Sequence, residues 1–264
     1  MSRIAFHAPL KPPDHPVPSG ERTMARALIA ALAANPAGWP VDVASTLRTR
    51  EGAGDAAAQD ALFAAAAAEA ARLTADPPPW AVWVTYHNYW KAPDLIGPAV
   101  ARALRIPYIQ IESTRARSRL TGPWARFAAA AEAASDAAAV ILHLTARDAE
   151  TLARDRPPGQ RLMPLAPFLN ADRLPDPVAR SPGRRILAVG MMRGGDKLAS
   201  YTALAAALAH VPPPFSVTAA GDGPMRDAVA ALLAPYGATL PGALGPEALA
   251  AAYRGHDLMI WPGV

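Results

Sequence analysis

Cysteine is absent from the 264 residues, so neither a disulfide framework nor a thiolate metal site is available, and oxidation state cannot act through thiols. Long apolar runs are missing too. No stretch approaches the roughly 18 uncharged apolar residues of a membrane span, and the first apolar run, Ile4 to Ala8, is too short for a signal-peptide core. These absences predict a cytoplasmic protein, soluble or peripheral at the inner face of the membrane. Neither sign of charge dominates, the formal net charge being +4. What is present is apolar: 52% of the chain is hydrophobic, enough for a sizeable core and incompatible with disorder. The 29 prolines are about twice the usual share of roughly 5%, but they cluster between apolar runs and act as punctuation.

The basic excess is local. Arg102, Arg105, Arg115, Arg117, Arg119 and Arg126 stand against Glu112 alone over residues 102–126. Such a run suits the phosphates of an acceptor, an anionic membrane surface, or simply a solvated face. Nucleic acid is disfavoured, because no repeat of aromatic and basic residues accompanies the arginines.

Strand-like runs recur between Ala-rich stretches of helical spacing: Arg3 to Ala8, Val41 to Ser45, Ala81 to Tyr86, Tyr108 to Glu112, Val140 to Leu144, Arg185 to Gly190, Phe215 to Ala220 and Leu258 to Trp261. Helices are expected over Glu21 to Ala34, Ala56 to Thr74 and Pro93 to Leu104. Alternation of this kind predicts an α/β protein with doubly wound parallel sheets, its strands apolar on both faces. A proline-rich segment, Pro164 to Arg184, divides the chain, giving expected domains over residues 1–172 and 183–264. Ligands of such units bind at the carboxyl ends of the strands. The run Leu258 to Trp261 is followed only by Pro-Gly-Val, with no covering helix, so either it lies at an exposed edge or the second domain is cut short, and truncation is the expected cause.

The strongest motif is Arg185-Ile-Leu-Ala-Val-Gly-Met-Met-Arg-Gly-Gly-Asp-Lys197, a strand, a glycine-bearing loop and a helix start. Gly190, Gly194 and Gly195 permit close backbone approach, amides at the helix start face an anion, and Arg193 and Lys197 bring two positive charges to a diphosphate. The spacing is neither that of a Walker loop nor Gly-x-Gly-x-x-Gly. A second strand-to-helix turn, Thr218-Ala-Ala-Gly-Asp-Gly-Pro-Met-Arg226, offers Gly221, Asp222 and Gly223 as cleft-lining positions; the alternative is a tight connection whose Asp222 caps a helix begun by Pro224. In the first half, Gly20 follows strand one and is placed to bring amides to donor phosphates. His87 closes the third strand among Tyr86, Asn88, Tyr89, Trp90 and Lys91, which are placed to stack on and hydrogen-bond a sugar or acceptor, or else form an aromatic packing cluster.

These pieces, in this order, resemble family 4 of the retaining, metal-independent glycosyltransferases. The matching stretches are Ser19-Gly20; Tyr86-His87 with Lys91-Ala-Pro-Asp-Leu-Ile-Gly97; Pro107-Tyr108 leading to Glu112; Gly122-Pro-Trp124; Val189 to Leu198; Ala220-Gly-Asp-Gly-Pro224; Leu249 to Asp257; and Trp261-Pro-Gly263. The resemblance implies the GT-B arrangement of two Rossmann-like domains, with the donor mainly on the second and the acceptor mainly on the first. It implies donor diphosphate contacts for Arg193, Gly194, Gly195 and Lys197, approach of Gly20 to the same phosphates, and His87 beside the transferred sugar. Tyr86, Asn88, Lys91 and Arg115 fall on the acceptor side. It further implies no metal, no cofactor beyond the nucleoside-diphosphate sugar as co-substrate, and no dedicated base, because the leaving diphosphate assists the incoming hydroxyl. The acceptor would be a saccharide, a glycolipid or a small molecule. The family's two glutamates, seven residues apart, follow the equivalent of Trp261-Pro-Gly263, so this chain is expected to have impaired activity. Two rivals stand beside this reading. A sugar-nucleotide 2-epimerase would need a convergent set of carboxylate and histidine groups, and the sequence displays none; a non-catalytic two-lobed binding protein or remnant is the other.

Overall fold

A computed structural model describes residues 1–169 and 183–263. The chain forms two compact units, Met1–Asp172 and Arg173–Val264. Most of the proline-rich segment expected to separate them, including the interval 173–182 between the expected domains, lies outside the described residues.

In the first unit β1 (Arg3–His7), α1 (Gly20–Ala33), β2 (Val41–Ser45), α2 (Ala56–Ala75), β3 (Trp80–Asn88), α3 (Gly97–Leu104), β4 (Tyr108–Ser113), α4 (Ala125–Ala137), β5 (Val140–His143), α5 (Ala146–Asp155) and β6 (Arg161–Pro164) follow one another. The sheet order is β2-β1-β3-β4-β5-β6 and every pairing is parallel. Because successive strand residues point to opposite faces, β1 serves two cores: Ala5 joins Trp83, Val100 and Leu73 on the α2 and α3 side, while Ile4 and Phe6 join Leu28, Val84 and Tyr86 on the α1 side. Helix starts are capped as their sequences suggest: Ser19 Oγ accepts the Arg22 amide before α1, and the Asp55 carboxylate accepts that of Ala58 before α2. The Ala-rich stretch is thus a single 20-residue helix that buries a narrow stripe, Gln59, Ala66, Ala70 and Leu73.

Helix α3 begins four residues later than the expected Pro93. Asp94, buried to 2% exposure, holds the preceding turn: one carboxylate oxygen accepts the Ile96 and Gly97 amides, the other the Thr85 and Tyr108 hydroxyls. A Cβ on Gly97 would lie 2.2 Å from that carboxylate, so only glycine fits at the start of α3.

The second unit contains β7 (Arg185–Val189), α6 (Asp196–Leu208), β8 (Ser216–Ala220), α7 (Arg226–Leu233), β9 (Thr239–Gly242), α8 (Pro246–Gly255) and β10 (Leu258–Met259). Its strands are again parallel, in the order β10-β7-β8-β9, around a core of Leu204, Leu208, Val217, Val229 and Leu233. β10 is shorter than the expected Leu258 to Trp261 and is not covered on both faces, Leu258 and Met259 being 53% and 47% exposed. Trp261 leaves the strand to pack edge-on against Tyr201, with ring centroids 5.2 Å apart. Helix α7 starts at Arg226 rather than at Pro224. Strands β6 and β9 were not among the expected runs.

Candidate functional site

In an open parallel sheet the crevice for a ligand opens where the strand order reverses, beyond the carboxyl ends of the strands. Each unit has one such point, between β1 and β3 in the first and between β7 and β10 in the second.

In the second unit the loop after β7 is fixed from below. Gly190 and Met192 donate amides to the carbonyls of Ala220 and Asp222, and Met225 donates to Met192. Gly221 and Gly223 have φ values of 153° and 150°, and a Cβ on either would strike the carbonyl oxygen of Gly190 at 1.8 Å or of Met192 at 2.3 Å. Packing of the two loops against each other therefore accounts for both glycines without a ligand. Asp222 caps no helix; its carboxylate accepts the Gly223 amide and its side chain is exposed. Above this floor Gly194 and Gly195 stand open: a Cβ on either would meet nothing within 4 Å. Gly195, with φ 68°, leads into α6, whose first turn has no side-chain cap, leaving its amides directed outward. Neither Arg193 nor Lys197 has a carboxylate partner among the described residues, and Lys197 Nζ sits 5.4 Å from the centre of the Trp261 ring. An uncapped helix start, its dipole and two cations without a carboxylate partner among the described residues are features that attract an anion.

In the first unit the reversal point gathers three titratable side chains from three elements. Glu21 comes from the first turn of α1, His87 from β3 and Glu112 from β4. His87 Nδ1 lies 2.8 Å from Glu21 Oε2 and 3.8 Å from Glu112 Oε1, and the Tyr86 hydroxyl is close enough to feel the charge of both carboxylates. His87 and Glu112 both have left-handed backbones, φ 64° and 56°, a conformation that costs a non-glycine residue on the order of 1–3 kcal/mol and persists only where the surroundings enforce it. The enforcement comes from Asn88. Its buried amide donates to Ser113 Oγ, Ser135 Oγ and the Ala131 carbonyl, and its oxygen accepts the Asp94 amide.

The electrostatics follow from burial and proximity. Burial disfavours charge on His87, but the hydrogen bond and charge of Glu21, with Glu112 behind it, outweigh burial and raise its pKa. Burial likewise opposes charge on Glu21, and His87, Tyr86 and Lys11 overcome it to hold that carboxyl below its usual range. Glu112 is raised, chiefly by burial and also by the charge of Glu21. Burial and the two carboxylates push the Tyr86 hydroxyl far up. A histidine favoured as imidazolium thus stands beside one ionised carboxylate and one carboxyl inclined to keep its proton. Among the described residues no group of three His, Cys, Asp or Glu side chains has the arrangement to hold a metal ion.

Next to this cluster runs a ladder of rings. His87 and Tyr89 have centroids 5.0 Å apart, Tyr89 and Trp90 6.2 Å, and Trp90 and Trp124 5.1 Å. Lys91 Nζ lies 4.8 Å from Trp90 and 5.1 Å from Trp124, and the Arg119 guanidinium lies 4.5 Å from Trp90. The charges of Arg50 and Arg48 both act on the Tyr89 hydroxyl.

Several sequence expectations meet the geometry differently. Tyr86 and His87 do come together, and Gly20 starts α1 with open space where a Cβ would be. Asn88 is wholly buried with its amide spent on anchoring, so it does not face an acceptor. Arg115 does not either: its guanidinium is 3% exposed and forms 2.6 Å ion pairs with Glu132 and with Asp136. The expected basic run is not one patch. Arg117 pairs with Asp155 and Arg126 with Asp60, while Arg102 and Arg105 sit in the last turn of α3 and at its carboxyl cap, at the opposite edge of the sheet from the loop after β4. Conversely, Glu21 and Glu112 supply the convergent carboxylate and histidine set that the sequence did not reveal. The usable signal was positional, since Glu112 lies at the carboxyl end of β4 and Glu21 in the first turn of the helix that follows β1.

No protein-family model matches the chain, and no curated protein matches it in sequence. Solved structures do match in fold. The lipopolysaccharide outer core galactosyltransferase WaaB in its apo form aligns at 12% identity over 99% of this chain and 74% of its own, with a TM-score of 0.61. An α,α-trehalose-phosphate synthase (UDP-forming) from Burkholderia xenovorans aligns at 12% identity over 99% and 79%, with a TM-score of 0.58. A putative UDP-N-acetylglucosamine 2-epimerase from Listeria monocytogenes aligns at 11% identity over 98% and 74%, with a TM-score of 0.56. The chain therefore has the GT-B fold of two Rossmann-like units, the second smaller.

Proposed function

We propose that the chain transfers a glycosyl unit from a nucleoside-diphosphate sugar to a hydroxyl acceptor with retention of configuration, in the manner of the family 4 enzymes it resembles. The observation that carries this reading is the open start of α6, where an uncapped first turn, the unobstructed Gly194 and Gly195, and the cations Arg193 and Lys197 come together. The amides and the two cations hold the donor and offset the charge that grows on the departing diphosphate, the help a metal ion gives elsewhere. The bond between the anomeric carbon and the diphosphate oxygen breaks, the acceptor oxygen bonds to that carbon on the same face, and the hydroxyl proton passes to the leaving diphosphate. His87, fixed by Glu21, orients the transferred sugar, and Gly20 leaves room at the start of α1 for phosphate approach. The acceptor binds on the first unit. WaaB and the trehalose-phosphate synthase, named for reactions of this type, support the reading through their fold.

Calorimetric titration with UDP, GDP and ADP tests the donor site. Arg193→Ala and Lys197→Ala should each weaken binding of the preferred diphosphate roughly tenfold or more, the usual loss for one charge-assisted contact; unchanged affinity sinks the assignment.

A second reading has a specific observation in its favour. The set Glu21, His87 and Glu112 is the acid–base equipment a sugar-nucleotide 2-epimerase needs, and a protein named as such shares the fold. Incubation with sugar nucleotides in deuterium oxide separates the two. Epimerisation through a lost proton leaves deuterium on recovered sugar nucleotide, whereas glycosyl transfer consumes the donor and leaves the remainder unlabelled.

A further inference from the structure

The first unit has four cations at the carboxyl edge of its sheet that no carboxylate among the described residues neutralises. Arg48, Arg50, Lys91 and Arg119 have no carboxylate partner among the described residues, whereas Arg115, Arg117 and Arg126, from the same basic run as Arg119, are all ion-paired. Glu51, the nearest acid in sequence, is turned inward, its carboxylate accepting the Ala53, Gly54 and Asp55 amides. The cations are held in place by means that leave their charge intact. Lys91 lies between two indoles and Arg119 over one of them, contacts that attract a cation without cancelling it. The loop bearing Arg50 is clamped beside them: Glu51 donates its amide to the Lys91 carbonyl, and Gly54 packs so tightly on Pro123 that a Cβ there would lie 2.6 Å away. Crowding of like charge registers on Arg48, whose pKa is lowered by burial and by Arg50.

We propose that Arg48, Arg50, Lys91 and Arg119 form a recognition site for a phosphate monoester, so that the acceptor is a phosphorylated sugar or a phosphate-bearing lipid head group. The inference rests on the reading of the first unit as the acceptor side and names the acceptor's chemistry. Guanidinium forks match phosphate oxygens in pairs, and several fixed cations suit a doubly charged ligand better than a single carboxylate. The ring argues against stacked bases or an uncharged sugar as the principal ligand, because Trp90 already carries two cations over its ring, Lys91 at 4.8 Å and Arg119 at 4.5 Å from its centre. The ladder also sets the direction of the substrate. The charge of Arg50 acts on the Tyr89 hydroxyl, and the Tyr89 ring lies 5.0 Å from the His87 ring, so a phosphate held by the cations places the attached sugar along the ladder toward His87.

Calorimetry on the full chain with glucose 6-phosphate and with glucose, and co-sedimentation with phosphatidylcholine vesicles with and without phosphatidic acid, test the site. The expected result is binding of the phosphorylated sugar or of the phosphatidic acid vesicles, but not of glucose or of neutral vesicles. Arg50→Ala and Arg119→Ala, both at exposed positions, should each weaken it roughly tenfold, and Lys91→Arg should retain it. Binding of the soluble ligand identifies a phosphosugar acceptor, and binding of the vesicles alone a lipid one. Equal affinity for glucose and its phosphate, no binding in either arm, or variants that bind as the parent does would overturn the proposal. UDP titration of the same proteins keeps the two claims apart. Loss of phosphate binding with UDP binding intact defeats the acceptor site alone, and intact phosphate binding without UDP binding defeats the donor reading.

Discussion

His87 shows how much of a site one residue can carry and how little of it is visible from its neighbours in sequence. Its position at the end of β3 marks it as a ligand-facing side chain, but the carboxylates that set its charge come from α1 and β4 and are brought in only by the sheet order. Their effects on stability have opposite signs. His87 has a folded pKa above its ordinary 6.5, so its pairing stabilises fully below that value and is lost as pH rises through the raised one. Glu21 has a folded pKa below 4.5, so its share is present above that value and is lost as pH falls through the lowered one. Glu112, raised, favours the folded chain when protonated and loses that share as pH rises. The fold should therefore lose stability from weakly acid to weakly alkaline solution, and His87→Gln should flatten that fall in urea midpoints followed against pH; an unchanged slope would place the imidazole charge elsewhere. Asn88 and Arg115 teach the complementary lesson. Both are polar residues beside a candidate site, and both point inward, because a left-handed strand end needs an anchor and Glu132 and Asp136 on α4 need a cation.

Secondary-structure elements were legible where their pattern was long. All eight expected strands match observed ones to within one or two residues at each end, because strand runs in a parallel sheet are apolar throughout. The strands not read, β6 and β9, are four residues each, contain proline and lie at sheet edges, where a missing amide is tolerated and burial is partial. The late start of α3 was hidden because its cause, the Asp94 carboxylate reaching Thr85 and Tyr108, is tertiary. At this scale the glycines of the second unit separate into two kinds. Gly221→Ala must displace the Gly190 carbonyl and should cost about 3 kcal/mol or more, read as a fall in thermal or urea midpoint. Gly194→Ala meets nothing in the protein and should change stability by less than about 1 kcal/mol while reducing diphosphate affinity. Equal effects of the two on stability would mean that the loop after β7 is not fixed as described.

For the whole molecule, alternating β and α pattern predicts two parallel sheets, and two are found, each with a reversal of strand order that locates its candidate site. Most of the proline-rich segment expected to divide the chain lies outside the described residues. The acceptor could not be read at all, because the ring ladder and its cations assemble from the loops after β2, β3 and β4. Two compact units with separate cores should give separable unfolding transitions in calorimetry. UDP at a hundredfold excess over its Kd should raise only the second unit's transition, by about 2.7 kcal/mol of added stability. A shift confined to the first unit's transition would place nucleotide binding in the wrong half.

The interlock of Gly190, Met192, Gly221 and Gly223 has a kinetic corollary. A loop already held by its neighbour's backbone has little freedom to surrender when a ligand arrives, so association is limited by encounter rather than by rearrangement. Differences among nucleotides would then be expressed in how long each stays, which makes residence time, more than capture rate, the quantity through which this loop discriminates.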